Sequence, residues 1–233
     1  MFQIGAARKE ERRNAVAAET EIISAQKYNL ILCGTVLWGL VFNYVICRSG
    51  INVFDYVNSV VFYIGYLVCA IVGILMSSKS QNPVVSFIGY NLVVVPFGLV
   101  ISCTVDMLGG MNSSIVSQAF LITMCIVGMM LLVAMYFPDV CAKFGRILLI
   151  SLCGVILAGI LSYALNLPNS WISWVSALIF SGYIAYDVYR AQEYEKTVDN
   201  AVDSAVDIYI DIVNLFLNIL EIVARSNSKS HRD

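Results

Sequence analysis

The sequence predicts an all-α membrane protein with about seven transmembrane helices, six of them surrounding a central C-terminal helix. Three observations carry that expectation. Hydrophobic residues make up 59% of the chain and charged residues 13%, against roughly 45–50% and 25% in a soluble domain. That is too little charge to cover a water-facing surface, so lipid must serve as solvent for much of it. Seven apolar runs follow one another, most of them near the ~20 residues needed to cross the hydrocarbon core. The last run carries a single polar seam, which lipid forces to turn inward.

The runs read as 28–47, 57–77, 84–105, 115–136, 147–166, 171–190 and 207–224. Residues 1–27 form a charged N-terminal segment, 28–224 the transmembrane domain and 225–233 a polar tail. The breaks use helix-ending chemistry: Arg48-Ser49-Gly50, Lys79 to Pro83, Asp106 to Ser114 with Gly109-Gly110, Pro138-Asp139, and Leu167-Pro168-Asn169. Pro96 falls inside the third run and is expected to kink it. Small residues share a face of the fifth run (Ser151, Gly154, Ala158, Ser162) and of the sixth (Ser173, Ala177, Ser181, Ala185), a spacing that lets helices approach closely in lipid. Trp171 and Trp174 read as interfacial anchors.

Positive charge sets the orientation. Ten Lys and Arg residues fall in the N-terminal segment and in the second–third, fourth–fifth and sixth–seventh connections, whereas the opposite loops hold only Arg48. The Lys/Arg-rich side is cytosolic, so the N-terminus is expected inside. Arg225, Lys229 and Arg232 lie outside if the seventh run crosses fully and inside if it is re-entrant. The first apolar run begins near Tyr28, after Arg8 to Arg13, and is expected to act as a signal anchor in place of a cleaved peptide. The expected location is the plasma membrane in a bacterium and the endoplasmic reticulum or another internal membrane in a eukaryote.

Several function classes are disfavoured by composition. A net charge of −2 offers nothing to nucleic acid. The single histidine, His231, and seven cysteines without a CxxC speak against a zinc site or a disulfide framework. Cys47 and Cys103 sit near segment ends, which leaves a pairing between them open in principle. No cofactor is expected.

The seam lies in the last run. Asp207, Asp211, Asn214, Asn218 and Glu221 recur at intervals of four, three, four and three, which is one helical face. Nearly everything between is aliphatic or Phe, so a soluble surface helix would show apolar residues to water on most sides. Asn214 and Asn218 also fit interhelical hydrogen bonding, but carboxylates are costly at membrane depth, about 2.5–3.5 kcal/mol on insertion scales. A second carboxylate, Asp187, sits near the end of the sixth run. In an antiparallel hairpin turning near Asn200 it reaches the depth of Asp211. Two close carboxylates cannot easily both be charged, so the pair can share a proton. The alternative is an ion pair of Asp187 with Arg190 at i, i+3. Glu193, Glu195, Asp199 and Asp203 read as a solvated connection, or as an acidic vestibule.

At these residues the chain resembles the transmembrane Bax inhibitor motif family. The likeness is clearest in Phe180-Ser-Gly-Tyr-Ile-Ala-Tyr-Asp187 and Asp207-Ile-Tyr-Ile-Asp211-Ile-Val-Asn214-Leu-Phe-Leu, with weaker likeness at Asn82-Pro83-Val84, Ala119-Phe120 with Thr123, and Phe144-Gly145. The resemblance implies six helices around a central seventh and a pH-sensitive calcium leak gated by an aspartate pair, matched here by Asp187 and Asp211. Some members restrain cell death or engage other membrane proteins. The chain departs from the pattern at Val188, where Thr is usual. It also lacks any Lys or Arg in 57–78 to act as the second-helix latch some members have, leaving that part to Arg190 or Lys79.

The expected function is therefore a calcium leak channel and not an enzyme. Calcium prefers carboxylate, carbonyl and water oxygens. Asp187 and Asp211 are the expected gate and calcium ligands, and Asp207, Asn214, Asn218 and Glu221 the expected ion pathway. Expected partners are the bilayer, calcium ions, protons and other membrane proteins. A non-transporting regulator of a membrane complex is the alternative. An intramembrane aspartyl protease would also place one aspartate on each of two helices, but Tyr209-Ile210 fills the space its GxGD motif leaves open.

Overall fold

The structure, a computed structural model, describes residues 22–166 and 170–230. The basic stretch Arg8 to Arg13, the Pro168 break and His231 lie outside them. The described residues form seven α-helices: α1 Ala25–Ser49, α2 Ser59–Lys79, α3 Pro83–Met107, α4 Ser114–Tyr136, α5 Pro138–Ala164, α6 Ser170–Glu193 and α7 Val198–Ser230. A short 3-10 turn, Val53–Asp55, lies between α1 and α2. Helices α1 to α5 are long and apolar enough to cross a membrane, while α6 and α7 fall below that mark because of their polar side chains.

Local chemistry accounts for the ends. Ser24, Asn58 and Ser113 accept from the backbone N–H groups of Lys27, Val60 and Ile115, capping α1, α2 and α4. Asn82 Oδ1 accepts from Val84 N at 2.9 Å, with Pro83 as the first residue of α3. Gly50, at φ 67°, closes α1 in the left-handed conformation. Helix α3 runs on through Pro96.

Two boundaries differ from the sequence expectation. Helix α5 starts at Pro138, only one residue after Phe137 caps α4, so Lys143 and Arg146 stand on a helix and not in a loop. Proline suits a first helical position, where its missing N–H costs nothing. Helix α7 starts at Val198, well before residue 207, and continues to Ser230 into the segment read as tail. The sixth–seventh connection shrinks to 194–197 and the turn precedes Asn200.

The chain divides into two compact units. The first comprises 1–106 and 191–209, the second 107–190 and 210–233. In the first unit, α2 and α3 meet at Gly73 and Gly89. A Cβ on Gly73 would lie 2.4 Å from the Gly89 carbonyl oxygen, and one on Gly89 would lie 2.6 Å from that of Gly73. Only glycine permits this approach. Helix α1 lies along α3, with Tyr90 Oη donating to the Thr35 carbonyl at 2.9 Å and Trp38 Nε1 donating to Asn91 Oδ1 at 3.0 Å. The first part of α7 is interior here: Ala201 to Val206, Ile208 and Tyr209 are all buried. In the second unit α4 adjoins α5, and α5 packs on α6 through Leu148, Val155 and Ile179, with Phe144, Leu152 and Tyr186 around them. The remainder of α7 is again interior, with Ile212, Val213, Leu215, Ile219 and Leu220 buried. In both units, then, α7 is an inner element, as its seam required.

The small-residue stripe of α6 is buried throughout, at Ser173, Ala177, Ser181 and Ala185. That of α5 is buried only in part: Ser162 is buried, Ser151 and Ala158 are half-buried, and Gly154 is exposed with no neighbour within 4 Å of a Cβ position, while the larger Leu148 and Val155 are buried. Bulk from α5 fits the smaller α6: a Cβ on Gly182 would meet Leu148 at 2.8 Å. Small residues on one partner suffice for close packing.

Candidate aspartate site on the last two helices

In the second unit, α6 presents Tyr183, Tyr186, Asp187 and Arg190 over two turns, and α7 presents Asp211. The Asp187 side chain is 12% exposed and accepts from Arg190 Nη1 at 3.5 Å. The guanidinium of Arg190 also lies over the Tyr186 ring, 5.2 Å from its centroid, an attraction of roughly 0.5–2 kcal/mol. Tyr186 in turn occupies space left by Gly145 of α5, where a Cβ would meet its hydroxyl at 2.5 Å. Asp211 is 5% exposed. Tyr183, one turn before Asp187, lies within electrostatic reach of both carboxylates. The ion pair that sequence offered as an alternative is therefore present.

The other seam residues behave differently. Asn214 Nδ2 donates to the Ile210 carbonyl and Asn218 Nδ2 to the Asn214 carbonyl, each at 2.8 Å. These are bonds within the helix itself, not glue to a neighbour. Glu221 is ion-paired with Arg225 on its own helix and accepts from Ser173 Oγ of α6 at 2.7 Å. Asp207 is half-buried and belongs to the first unit.

The start of α7 holds residues that the sequence reading assigned to a solvated connection. Asp203 is 4% exposed and Asn200 7%. Ser77 Oγ of α2 donates to Asp203 Oδ1, and Ser86 Oγ of α3 donates to Asp199 Oδ1 at 2.7 Å. Tyr28 Oη lies 3.2 Å from Ser204 Oγ. Further along, Asn43 Nδ2 of α1 donates to Tyr209 Oη at 2.5 Å. A signal was available: Asp199, Asp203, Asp207 and Asp211 recur every four residues, extending the seam by two turns. In the short connection that remains, Lys196 Nζ donates to the carbonyls of Ala191 and Gln192 at the end of α6 and lies over the Tyr28 ring. Burial pushes the Lys196 ammonium pKa down, and the Glu193 carboxylate opposes that shift.

Among the described residues no group of three or more His, Cys, Asp or Glu side chains is arranged to hold a metal ion. Asp187 and Asp211 offer two carboxylates to a cation, and the six to eight oxygens calcium takes would have to be completed by water or carbonyls.

The geometry agrees with a comparison across the chain. Residues 23–228 match the family model Bax1-I, inhibitor of apoptosis-promoting Bax1. The chain belongs to this family. No curated protein matches it. Membership of the Bax1-I family spans α1 to α7 almost entirely, so it covers both compact units and the whole aspartate series of α7. It makes the chain an integral membrane protein with several spans.

Proposed function

We propose that this Bax1-I family protein is a pH-sensitive calcium leak channel in which Asp187 and Asp211 share a proton and act as the gate. The observation that supports this most is the pair of little-exposed carboxylates on α6 and α7, both within electrostatic reach of Tyr183, at the positions that resemble the family's aspartate pair. With both carboxylates ionised the site attracts a divalent cation. As pH falls and the pair takes up a proton, one of those charges is removed, and Arg190 then balances the other. Two carboxylates and water hold calcium weakly, as passage requires.

In this reading Arg190 takes the part of the missing second-helix latch, since it already reaches Asp187. Asp207, Asn214, Asn218 and Glu221 mark the ion pathway. The excess of Lys and Arg puts the N-terminal segment and the 194–197 connection in the cytosol, in a plasma membrane or an internal one.

Calcium entry into dye-loaded proteoliposomes, followed from about pH 5 to pH 8, tests the proposal. The expected result is a pH-dependent flux that Asp187→Asn and Asp211→Asn each flatten. Absence of flux from folded, reconstituted protein would sink it and favour a regulator that binds another membrane protein.

A further inference from the structure

The first unit contains a cysteine pair that the aspartate site does not use. Helix α1 runs beside α3, with bonded partners 55 and 53 residues apart along the chain, and the residues just after α1 stay on α3 at a spacing of 51. Cys47 and Cys103 are 56 apart, one residue beyond the widest of these spacings. Asn43, one turn before Cys47 on the same face, presses on Gly98 of α3, as does Ile46. A Cβ at Gly98 would lie 2.7 Å from both Asn43 Oδ1 and Ile46 Cδ1. Beyond Cys47 the chain stays on α3: Ser102 Oγ donates to the Ile51 carbonyl at 3.1 Å, and Cys103 Sγ to Asn52 Oδ1 at 3.4 Å. Cys47 thus lies between the contacts of Asn43 and Ile46 with Gly98 and those of Ile51 and Asn52 with Ser102 and Cys103, and it lies within electrostatic reach of Cys103. Cys103 is 3% exposed, whereas Cys47 is only half-buried near the helix end.

We propose that Cys47 and Cys103 form a disulfide that ties the end of α1 to α3. The half-buried Cys47 reacts first. Its thiolate, having released a proton, attacks one sulfur of an external disulfide, either a small-molecule disulfide or a disulfide-bearing oxidoreductase, and expels one thiolate. The Cys103 thiolate, having lost its own proton, then attacks Cys47 Sγ in the mixed disulfide and expels the second. Two protein thiols lose two electrons and two protons, and the external disulfide becomes two thiols. The contacts at Gly98 and Ser102 keep the two segments together on either side of Cys47, the bond requires the two Cα atoms to come within about 4.4–6.8 Å, and closing the long loop between residues 47 and 103 restricts the unfolded chain. In the topology proposed above this end of α1 faces the non-cytosolic side, where disulfides persist. The link itself does not depend on ion flux.

The test uses the purified full-length chain in detergent, incubated with oxidised or reduced glutathione, alkylated with N-ethylmaleimide, digested and analysed by mass spectrometry. After oxidised glutathione, five cysteines should be alkylated and one cross-linked peptide should join Cys47 to Cys103. After reduced glutathione, all seven should be alkylated. The oxidised protein should melt about 10 °C above the reduced one, and Cys47→Ser and Cys103→Ser should each abolish that difference. Seven alkylated cysteines after oxidation would overturn the proposal. So would glutathione left on Cys47 without a link to Cys103. Because the mass measurement is made on the unaltered chain, it does not depend on whether either variant folds.

Discussion

The two halves of α7 satisfy their polar side chains in different ways. In the first unit, Asp199 and Asp203 each receive a neutral hydroxyl from another helix, Ser86 of α3 and Ser77 of α2, and Tyr209 receives the Asn43 amide of α1. In the second unit, Asn214 and Asn218 bond to their own helix, Asp187 pairs with Arg190 three residues on, and Glu221 pairs with Arg225 four residues on while accepting one hydroxyl from another helix, Ser173 of α6. Bonds between helices fix how those helices sit, and breaking one leaves a buried group short of a partner. Bonds within a helix fix little beyond the side chain's own rotamer. The first half of α7 is joined by side-chain bonds to α1, α2 and α3, whereas the bonds described for the second half run mostly within its own helix, with Glu221 to Ser173 of α6 as an interhelical one.

Substitutions can break or sharpen this contrast. The largest effect is expected at the aspartates of the second unit. Asp187→Asn and Asp211→Asn should each flatten the pH profile of calcium flux while leaving the protein folded, and the double change should add little, because the proton-sharing unit is already lost. Unaltered profiles in both single variants would refute the gate, and additive effects would make the carboxylates independent. Next comes Ser77→Val. It removes a donor from the buried Asp203 carboxylate and should cost about 2 kcal/mol, read as lowered unfolding stability in detergent. A neutral result would show that α7 is not jointed there. Tyr209→Phe removes the acceptor of the Asn43 amide and should cost about 1 kcal/mol in the same assay. The smallest stability change belongs to Asn214→Leu, within about 0.5 kcal/mol, since only an intrahelical bond is lost. On the channel reading it should still reduce flux per folded molecule, and a loss of stability without a loss of flux would make Asn214 a packing residue.

Five of the helices could be read from apolar runs, because lipid leaves few alternatives to a long apolar segment. The sixth and seventh were also read as apolar runs, at 171–190 and 207–224, and pattern added how they pack: small residues every four positions in α6, and a polar seam in α7. What sequence misread was the beginning of α7. Asp199, Asn200 and Asp203 are polar enough to pass for a solvated turn, and the hydroxyls that Asp199 and Asp203 accept come from Ser86 and Ser77, more than a hundred residues earlier in the chain. The four-residue recurrence of the aspartates marked the face, but no local signal announces such partners. The same holds for α5, where Lys143 and Arg146 looked like a loop although Pro138 had already started the helix. Residue type, helix period and family likeness all pointed to Asp187 and Asp211, whereas nothing in the sequence marked Tyr183 as lying within electrostatic reach of both.

The contact of Gly73 with Gly89 bears on how the protein is made. The two glycines are separated by sixteen residues, so this contact closes a short loop and forms early by the usual dependence on sequence separation. During synthesis α2 and α3 can enter the bilayer together as a hairpin, long before α7 leaves the ribosome. Ser77 and Ser86 are then already side by side, with Ser86 Oγ 3.4 Å from the Ser77 carbonyl, and they form a hydroxyl-lined berth in place before its occupant. Asp199 and Asp203 arrive later, when α7 follows. The final helix is thus received by a surface assembled more than a hundred residues earlier, and its carboxylates need spend no time in hydrocarbon without donors.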